Sequence, residues 1–232
     1  MRHMLGIGVF LVVFQLASGP AHAGVLRQDL HGLLTYRNLS LSALSFGLAG
    51  VAHVWDDNVR GKLKEVALFR ATSKVTDVYG ESLVNISATL GLYIFARETR
   101  RAELRAVSSD LLRALVFTQI VVGPIKYSVR RERPDGSNRL SFPSGHTANA
   151  FAIAGVLNRR YGPRVGIPFY VLGAFVGAGR IEGNRHFLSD VVAGATLGTI
   201  VGCSITRTEG KRFSVLPLRT PGGWMLALQF QD

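Results

Sequence analysis

Apolar residues recur along the chain in six stretches that are separated by polar or basic connections. Small residues are scattered through these stretches, and the alternation of apolar and polar residues that marks a half-buried strand is nearly absent. Each stretch is therefore predicted to be a helix. The predicted helices cover approximately 39–55, 83–96, 111–125, 147–157, 165–178 and 187–205. The pattern predicts an all-α fold, a helical bundle of about six core helices.

The start of the chain has the pattern of an export signal. Arg2 precedes an apolar run over 5–16, and Ala21-His22-Ala23 is a small-x-small cleavage site, so residues 1–23 are predicted to be a signal peptide cut after Ala23. The alternative is an uncleaved anchor helix, although the apolar run is shorter than the ~20 residues that span a bilayer.

The end of the chain departs from the helical pattern. After the turn residues Pro221-Gly222-Gly223, apolar and polar residues alternate, which predicts one short strand packed against the bundle. The predicted organisation is therefore a signal peptide over 1–23, a helical domain over 24–206 and a tail over 207–232.

Membrane crossing is a separate question, because the mean hydropathy of +0.23 lies between the values typical of soluble and of membrane proteins. Most predicted helices are shorter than the ~20 apolar residues that a bilayer requires. Asn85, Ser189 and Asp190 place polar groups inside two of them. Lys and Arg occur in every connection, so the positive-inside rule gives no orientation. The helices are therefore not predicted to span a bilayer, and the exported protein is expected in the periplasm, either soluble or associated with a membrane.

Composition and charge narrow the function classes. A hydrophobic share of 47% excludes a disordered chain, and a lone cysteine, Cys203, excludes a disulfide framework. With 27 Lys and Arg against 15 Asp and Glu, the net charge of +12 indicates an anionic partner: nucleic acid, a lipid surface or a small phosphorylated substrate. Nucleic acid is disfavoured because the basic residues are not interleaved with aromatic ones.

Two polar stretches lie between the third and fourth predicted helices. The stretch from Lys126 to Pro134 holds four cations in eight residues and ends in a helix-breaking proline. The second stretch, Ser144-Gly145-His146-Thr147, opens a helix whose first backbone N–H groups form a natural anion site beside His146. An ordinary N-cap by Ser144 or Thr147 explains the second stretch equally well.

A third polar stretch, from Arg180 to Asp190, opens the last predicted helix. His186 and Asp190 are four residues apart, so on a helix they share a face and the carboxylate can accept the Nδ1–H of the imidazole. That pairing leaves Nε2 with a free lone pair. A metal site is disfavoured, because the chain has neither a cysteine cluster nor a His-Glu-x-x-His pair.

The three stretches together resemble the signature of a known family. Lys126-x6-Arg133-Pro134, Pro143-Ser144-Gly145-His146 and Arg180-x5-His186-x3-Asp190 are similar, in this order, to the three motifs of the type 2 phosphatidic acid phosphatase/haloperoxidase superfamily. That superfamily includes bacterial acid phosphatases and lipid-phosphate phosphatases. The resemblance extends from about Lys126 to Gly202, with one departure: Gly179 stands where the family usually has a serine.

The resemblance implies a role for each motif residue. Three cations, Lys126, Arg133 and Arg180, would surround the phosphate oxygens. The hydroxyl of Ser144 and the backbone N–H of Gly145 would complete the phosphate site. His186 would attack phosphorus to give a phosphohistidine, Asp190 would hold its ring, and His146 would protonate the leaving group. No metal or other cofactor is implied.

The expected function is therefore metal-independent hydrolysis of phosphomonoesters or of lipid phosphates and pyrophosphates on the periplasmic side, by a chain that could form a homo-oligomer. The choice between soluble and lipid substrates stays open. Two alternatives are a vanadate-dependent haloperoxidase and a non-catalytic basic module that binds anionic membrane or nucleic acid. Arg131, Arg139 and Arg185 match no motif position and are interpreted as loop charges.

Overall fold

The computed structural model describes residues 20–66, 78–206, 212–220 and 223–231, with side chains over 27–66 and 78–206. The helices in chain order are α1 (Pro20–Leu33), α2 (Tyr36–His53), α3 (Asp56–Lys64), α4 (Ser82–Glu98), α5 (Ala102–Val129), α6 (Gly145–Tyr161), α7 (Pro163–Glu182) and α8 (Leu188–Ile205). Two strands follow, β1 (Arg212–Thr220) and β2 (Gly223–Gln231). The six predicted helices are confirmed as α2 and α4 to α8, and the bundle is helical as predicted.

Helix α5 is much longer than the apolar pattern predicts, because its first half carries charged residues that are buried in ion pairs. Asp110 is 2% exposed and pairs with Arg113 on its own helix and with Arg160 of α6. Arg113 also pairs with the buried Asp29 of α1, at 2.5 Å. Buried charges are tolerated only when they are paired. This cluster of ion pairs therefore joins α1, α5 and α6, and its charged residues lie in the interior of the bundle.

Helices α6 and α8 approach each other closely along a row of glycines. Three glycines at a spacing of four residues on α8 face backbone carbonyls of α6 and of the residue before it. A Cβ atom on Gly194, Gly198 or Gly202 would lie 2.4, 2.1 or 2.3 Å from the carbonyl oxygen of Ser144, Ala148 or Ala152 respectively. Only glycine permits this backbone contact. The glycine row thus sets the distance between the helices that carry the second and third motifs.

Within the described residues, three helices have the length and the apolar composition to cross a membrane: α5, α7 and α8. The prediction that the segments are too short to span a bilayer is therefore wrong for these helices. Helix α5 has 28 residues and α7 has 20, because both continue beyond their apolar stretches into polar residues. Large apolar side chains are also exposed on α2: Leu39, Leu44, Leu48 and Val51. Exposed apolar surfaces of this extent mark contact with a membrane or another protein.

The end of the chain forms an antiparallel hairpin, in which Arg212 pairs with Gln231 and Thr220 with Gly223. The prediction of one short terminal strand is wrong, because each strand has nine residues and they pair with each other. Pairing satisfies the backbone groups by which each strand faces the other. The predicted packing of this tail against the bundle lies outside what the structure describes, because the described side chains end at residue 206.

The predicted signal peptide falls mostly outside the described residues. Helix α1 begins at Pro20 and continues through Ala23, where the cleavage site is predicted. Processing after Ala23 and the domain limits at 24–206 stay predictions.

Candidate active site

The fold brings the three polar stretches to one end of the bundle. Helices α5 and α7 run toward this end and carry Lys126 and Arg180 in their last turns. Helices α6 and α8 begin there, and the N–H of Ser144 donates to the carbonyl of Asp190 at 2.9 Å. The three stretches therefore meet at one site at the helix ends, although its residues lie up to 64 positions apart in the chain.

Lys126 organises the loop that precedes α6. Its Nζ donates to the carbonyl oxygens of Leu140 at 2.9 Å and of Pro143 at 2.6 Å. An ammonium group has three donors, so one N–H is left to face the site. The first motif therefore holds the second motif in place and retains a positive donor for an anion.

Two arginines add fixed positive charge to the same place. Arg180 is 6% exposed, and its carbonyl accepts the N–H groups of Arg185 and His186, which shapes the turn before α8. Arg133 lies in the loop after α5, where its N–H donates to the carbonyl of Asn138. Among the described residues, the buried Nε of Arg133 has no hydrogen-bond partner. A buried guanidinium N–H without a protein acceptor is suited to binding an anion.

The second motif forms the start of α6. Ser144 is the N-cap residue and is fully buried, with its hydroxyl 2.9 Å from that of Thr147. Its side chain makes no capping hydrogen bond within the described part of the chain, so the simple N-cap interpretation does not account for the hydroxyl. Gly145 follows against the stem of Lys126. A Cβ atom added to Gly145 would lie 3.7 Å from Cε of that lysine, an ordinary van der Waals contact.

His186 and Asp190 are close but not in hydrogen-bond contact. The Nδ1 of His186 lies 3.7 Å from Oδ2 of Asp190, beyond the hydrogen-bond range, and His186 is 1% exposed. Asp190 Oδ2 instead accepts from the hydroxyl of Ser141 at 2.5 Å and from the N–H of Phe187 at 2.9 Å. The two side chains therefore lie near each other, as predicted, but the hydrogen bonds that hold the carboxylate come from other residues.

His146 lies under the chain segment that leads into α4. Its Nε2 is 3.5 Å from Oε2 of Glu81, and a Cβ atom on Gly80 would lie 2.5 Å from the Cβ of His146. That segment is fixed by Asn149 of α6, whose Nδ2 donates to the carbonyl of Gly80 and to the hydroxyl of Ser82. The imidazole is thus confined by backbone on one side.

Both histidines are neutral in this environment. Burial, followed by the nearby positive charges of Arg180, Arg133 and Lys126, lowers the pKa of His146 to about 3. Burial lowers the pKa of His186 to about 4, although the neighbouring Asp190 opposes this change. The charges of Lys126 and Arg133 lower the pKa of both rings, and that of Arg180 lowers the pKa of His146, so these cations lie near the histidines. A neutral imidazole keeps a lone pair, which a nucleophile requires.

Arg131 is not a loop charge as the sequence pattern indicates. Its guanidinium bonds to the carboxylates of Asp190 and of Asp56, the first residue of α3. Asp56 is 3% exposed and receives hydrogen bonds from Ser189. The sequence signal was weak: an acidic pair opens α3 and Arg131 occupies a variable position inside the first motif, but nothing local connects them. Arg139 is exposed and Arg185 pairs with Asp135 at 2.9 Å, as expected of loop charges.

The described residues contain no group of three or more His, Cys, Asp or Glu side chains that could hold a metal ion. The positive charge available to an anion comes from side chains: Lys126, Arg133 and Arg180.

Comparison with known proteins identifies the family. The sequence profile of the PAP2 superfamily matches residues 109–214. The chain is 34% identical over 217 residues to lipid A 1-phosphatase of Porphyromonas gingivalis, which covers 91% of this chain and 44% of that protein. It is 30% identical over 156 residues to decaprenylphosphoryl-5-phosphoribose phosphatase of Mycobacterium tuberculosis, which covers 61% of this chain and 81% of that protein.

A solved structure agrees in fold. The crystal structure of a transmembrane PAP2 type phosphatidylglycerolphosphate phosphatase from Bacillus subtilis aligns with a TM-score of 0.58 and 23% identity, over 74% of this chain and 94% of that chain. The present chain spans less than half the length of the P. gingivalis relative, but most of the mycobacterial one. On the profile match, this coverage and the shared fold, the chain belongs to the PAP2 superfamily, the type 2 phosphatidic acid phosphatases.

Proposed function

We propose that this protein hydrolyses a phosphate ester or pyrophosphate of a membrane lipid, through a phosphohistidine on His186 and without a metal ion. The observation that carries the proposal is the convergence of two neutral histidines, the buried His186 and the half-buried His146, with three cations at one end of the bundle. Such an arrangement matches what phosphoryl transfer needs: fixed positive charge, a nucleophile and a proton donor.

Binding comes first. The phosphate group lies between Lys126, Arg133 and Arg180, whose positive charges balance its non-bridging oxygens. These charges are held by the fold before substrate arrives, because Lys126 is anchored to two loop carbonyls. Ser144 and the N–H of Gly145, at the start of α6, supply further donors where the helix dipole favours an anion.

The first chemical step is attack by His186. The Nε2 lone pair forms a bond to phosphorus while the bond from phosphorus to the leaving oxygen breaks. His186 becomes positively charged as this happens, and the carboxylate of Asp190, 3.7 Å from Nδ1, stabilises that charge. The neutral state of His186 before the attack supports this role.

His146 handles the proton in both steps. It donates a proton to the leaving oxygen, and then accepts one from the water whose oxygen attacks phosphorus as the bond to His186 breaks. In the free site His146 is neutral, because burial and the cations lower its pKa to about 3. The negative charge of bound phosphate offsets those cations and favours the protonated ring, so substrate itself prepares the acid.

A lipid substrate is favoured over a soluble ester by the surface around the site. Three helices have the length and apolarity of membrane spans, and two of them, α5 and α7, end where the site lies. A phosphate at the membrane surface, with its lipid part in the bilayer, can therefore reach the cations. The relatives are by name phosphatases of lipid A and of decaprenylphosphoryl-5-phosphoribose, which supports the same substrate class here.

We place the site on the periplasmic side, supported by the export pattern over 1–23. The accessibility of a cysteine substituted for the exposed Arg139 tests this placement. Labelling of that cysteine in intact cells by a membrane-impermeant reagent is the expected result, and labelling only after lysis would contradict it. Cys203, which is half-buried in α8, is replaced by Ser to remove the background.

The activity is tested with detergent-purified protein on mixed micelles of phosphatidic acid, phosphatidylglycerol phosphate, a polyprenyl pyrophosphate or lipid A, beside p-nitrophenyl phosphate. We expect phosphate release in the presence of a chelator, faster from at least one lipid than from the soluble ester. His186→Ala should abolish release, whereas Arg139→Gln, a change in an exposed cation on a nearby loop, should not. No release from any substrate, or full activity of His186→Ala, would refute the proposal.

The covalent intermediate is tested by rapid quenching with a substrate that carries a labelled phosphate. Label bound to the protein should be stable in alkali and labile in acid, as expected of a phosphoramidate. It should be absent from His186→Ala. Label that is stable in acid would point to a phosphoserine instead, with Ser144 at the start of α6 as the first residue to replace.

A further inference from the structure

Arg131 lies between two buried carboxylates that belong to different helices. Its Nη1 donates to Oδ1 of Asp190 and its Nη2 to Oδ2 of Asp56, each at 2.8 Å. The guanidinium carbon also lies 4.1 Å from the centroid of the Phe187 ring, on the residue before α8. A planar guanidinium offers donors in fixed directions, so it holds both carboxylates at a set separation.

Asp56 in turn fixes the first turn of α8. Its Oδ1 accepts the N–H of Ser189, and its Oδ2 accepts the hydroxyl of Ser189, both at 2.8 Å. His53 reaches the same carboxylate from the side exposed to solvent, with Nδ1 at 2.7 Å from Oδ2. Burial raises the pKa of Asp56, but the hydrogen bonds from Arg131, Ser189 and His53 outweigh it and leave that pKa below its usual value. Asp56 is therefore an anion, as its contact with Arg131 requires.

The position of Arg131 excludes a direct role in binding phosphate. Both of its terminal nitrogens are already engaged, Nη1 by Ser189 and Asp190 and Nη2 by Asp56. These partners lie on the side of Asp190 away from His186, because Asp190 meets Arg131 through Oδ1 and approaches His186 through Oδ2. Arg131 thus contacts the carboxylate behind the nucleophile and does not extend the phosphate site.

We propose that Arg131 and Asp56 are positioning residues for the nucleophile, which act by holding Asp190 ionised and oriented beside His186. This inference rests on the proposed function, since it assigns a role within that reaction. Before the attack His186 is neutral and offers Asp190 no positive charge, so a buried carboxylate needs another counter-charge to stay ionised. Arg131 supplies it. Asp56 fixes both Arg131 and the helix start that carries Asp190.

The test compares Arg131→Lys and Asp56→Asn with the unchanged protein. Lys retains the charge but has a single nitrogen in place of the planar fork that presents a separate nitrogen to each carboxylate. Asn retains the shape of Asp without its charge. We expect kcat to fall on the order of 10- to 100-fold in both variants, the range seen when residues that orient catalytic groups are changed. KM and the inhibition constant of inorganic phosphate should stay nearly unchanged, because the cations that bind phosphate are not altered. Arg139→Gln is the matched control.

Three outcomes would overturn the inference while leaving the proposed function in place. A kcat equal to that of the unchanged protein in both variants would show that the network has no catalytic effect. A lower melting temperature with an unchanged kcat of the folded protein would show a purely structural role. A rise in the inhibition constant of phosphate as large as the loss in kcat/KM would make Arg131 a phosphate ligand. Absence of phosphatase activity in the unchanged protein would instead refute the proposed function itself.

Discussion

Gly198 of α8 meets Ala148 of α6 backbone to backbone. A Cβ atom on Gly198 would lie 2.1 Å from the carbonyl oxygen of Ala148, closer than any non-bonded contact permits. Because α6 begins with the second motif and α8 with the third, this contact determines the spacing between Ser144 and Asp190 as well as the packing of the bundle.

Gly198→Ala is therefore expected to destabilise the protein by about 1–3 kcal/mol, the cost of inserting a methyl group into a packed interior. Thermal unfolding in detergent measures the change. Gly91→Ala is the matched control, since a Cβ there meets nothing within 4 Å on α4. That control should be neutral or stabilising by up to about 1 kcal/mol, because alanine is the better helix former. Equal stability of the two variants would contradict the close helix contact.

Gly80 is expected to be essential for the position of His146. In Gly80→Ala the new Cβ would lie 2.5 Å from the Cβ of His146, so the imidazole or the segment before α4 must move. We expect a large loss of kcat on lipid substrates, measured on folded protein so that it is separated from any change in melting temperature. Gly123→Ala serves as the control, since its added Cβ meets no described residue within 4 Å. Unchanged turnover would show that His146 need not occupy this place.

The acid role of His146 predicts a dependence on the leaving group. His146→Ala should slow the hydrolysis of alkyl phosphates far more than that of p-nitrophenyl phosphate, whose leaving group hardly needs a proton. With p-nitrophenyl phosphate the variant should release nitrophenol in a burst and then accumulate the phosphohistidine, because no base activates water. Equal losses on both substrates would contradict the acid assignment.

The lowered pKa values of the two histidines predict that stability falls in acid. Both groups are neutral in the fold, with pKa values of about 3 for His146 and about 4 for His186, whereas an unfolded histidine takes up its proton near pH ~6.5. The unfolded chain therefore binds more protons below pH ~6.5. The stability that the neutral rings contribute is complete above that pH and is lost as the pH falls toward about 4 and then 3.

Thermal unfolding without phosphate, followed from neutral pH down into this acid range, measures the effect. A double variant, His146→Asn with His186→Asn, lacks both titrating groups and should lose less stability over the same interval. Adding inorganic phosphate to the unchanged protein should reduce its loss, since the anion offsets the cations that keep both rings neutral. An identical pH dependence of the two proteins would contradict the depressed pKa values.

Much of the helical architecture could be read from local pattern. Each of the six apolar stretches corresponds to a helix, because the periodicity of apolar residues reflects the face that a helix buries. The first half of α5 and the whole of α3 could not be predicted in this way. Asp110 and Asp56 are buried because they pair with arginines that lie far away in the chain, Arg160 on α6 and Arg131 in the loop after α5. A pattern that assigns charge to the surface misses such residues.

The family motifs, the chemistry of their residues and the basic character of the chain were determined by the sequence alone, because residue type and short spacing suffice for them. Tertiary structure decided which groups meet. Arg131 and Asp56 are 75 positions apart and Asp56 and Ser189 are 133 apart, so no local pattern connects them. The 3.7 Å between His186 and Asp190 and the contact of Gly198 with Ala148 also depend on how helices pack. Distances between helices depend on the packing of the whole core, whereas the chemistry of each residue is set by its own side chain.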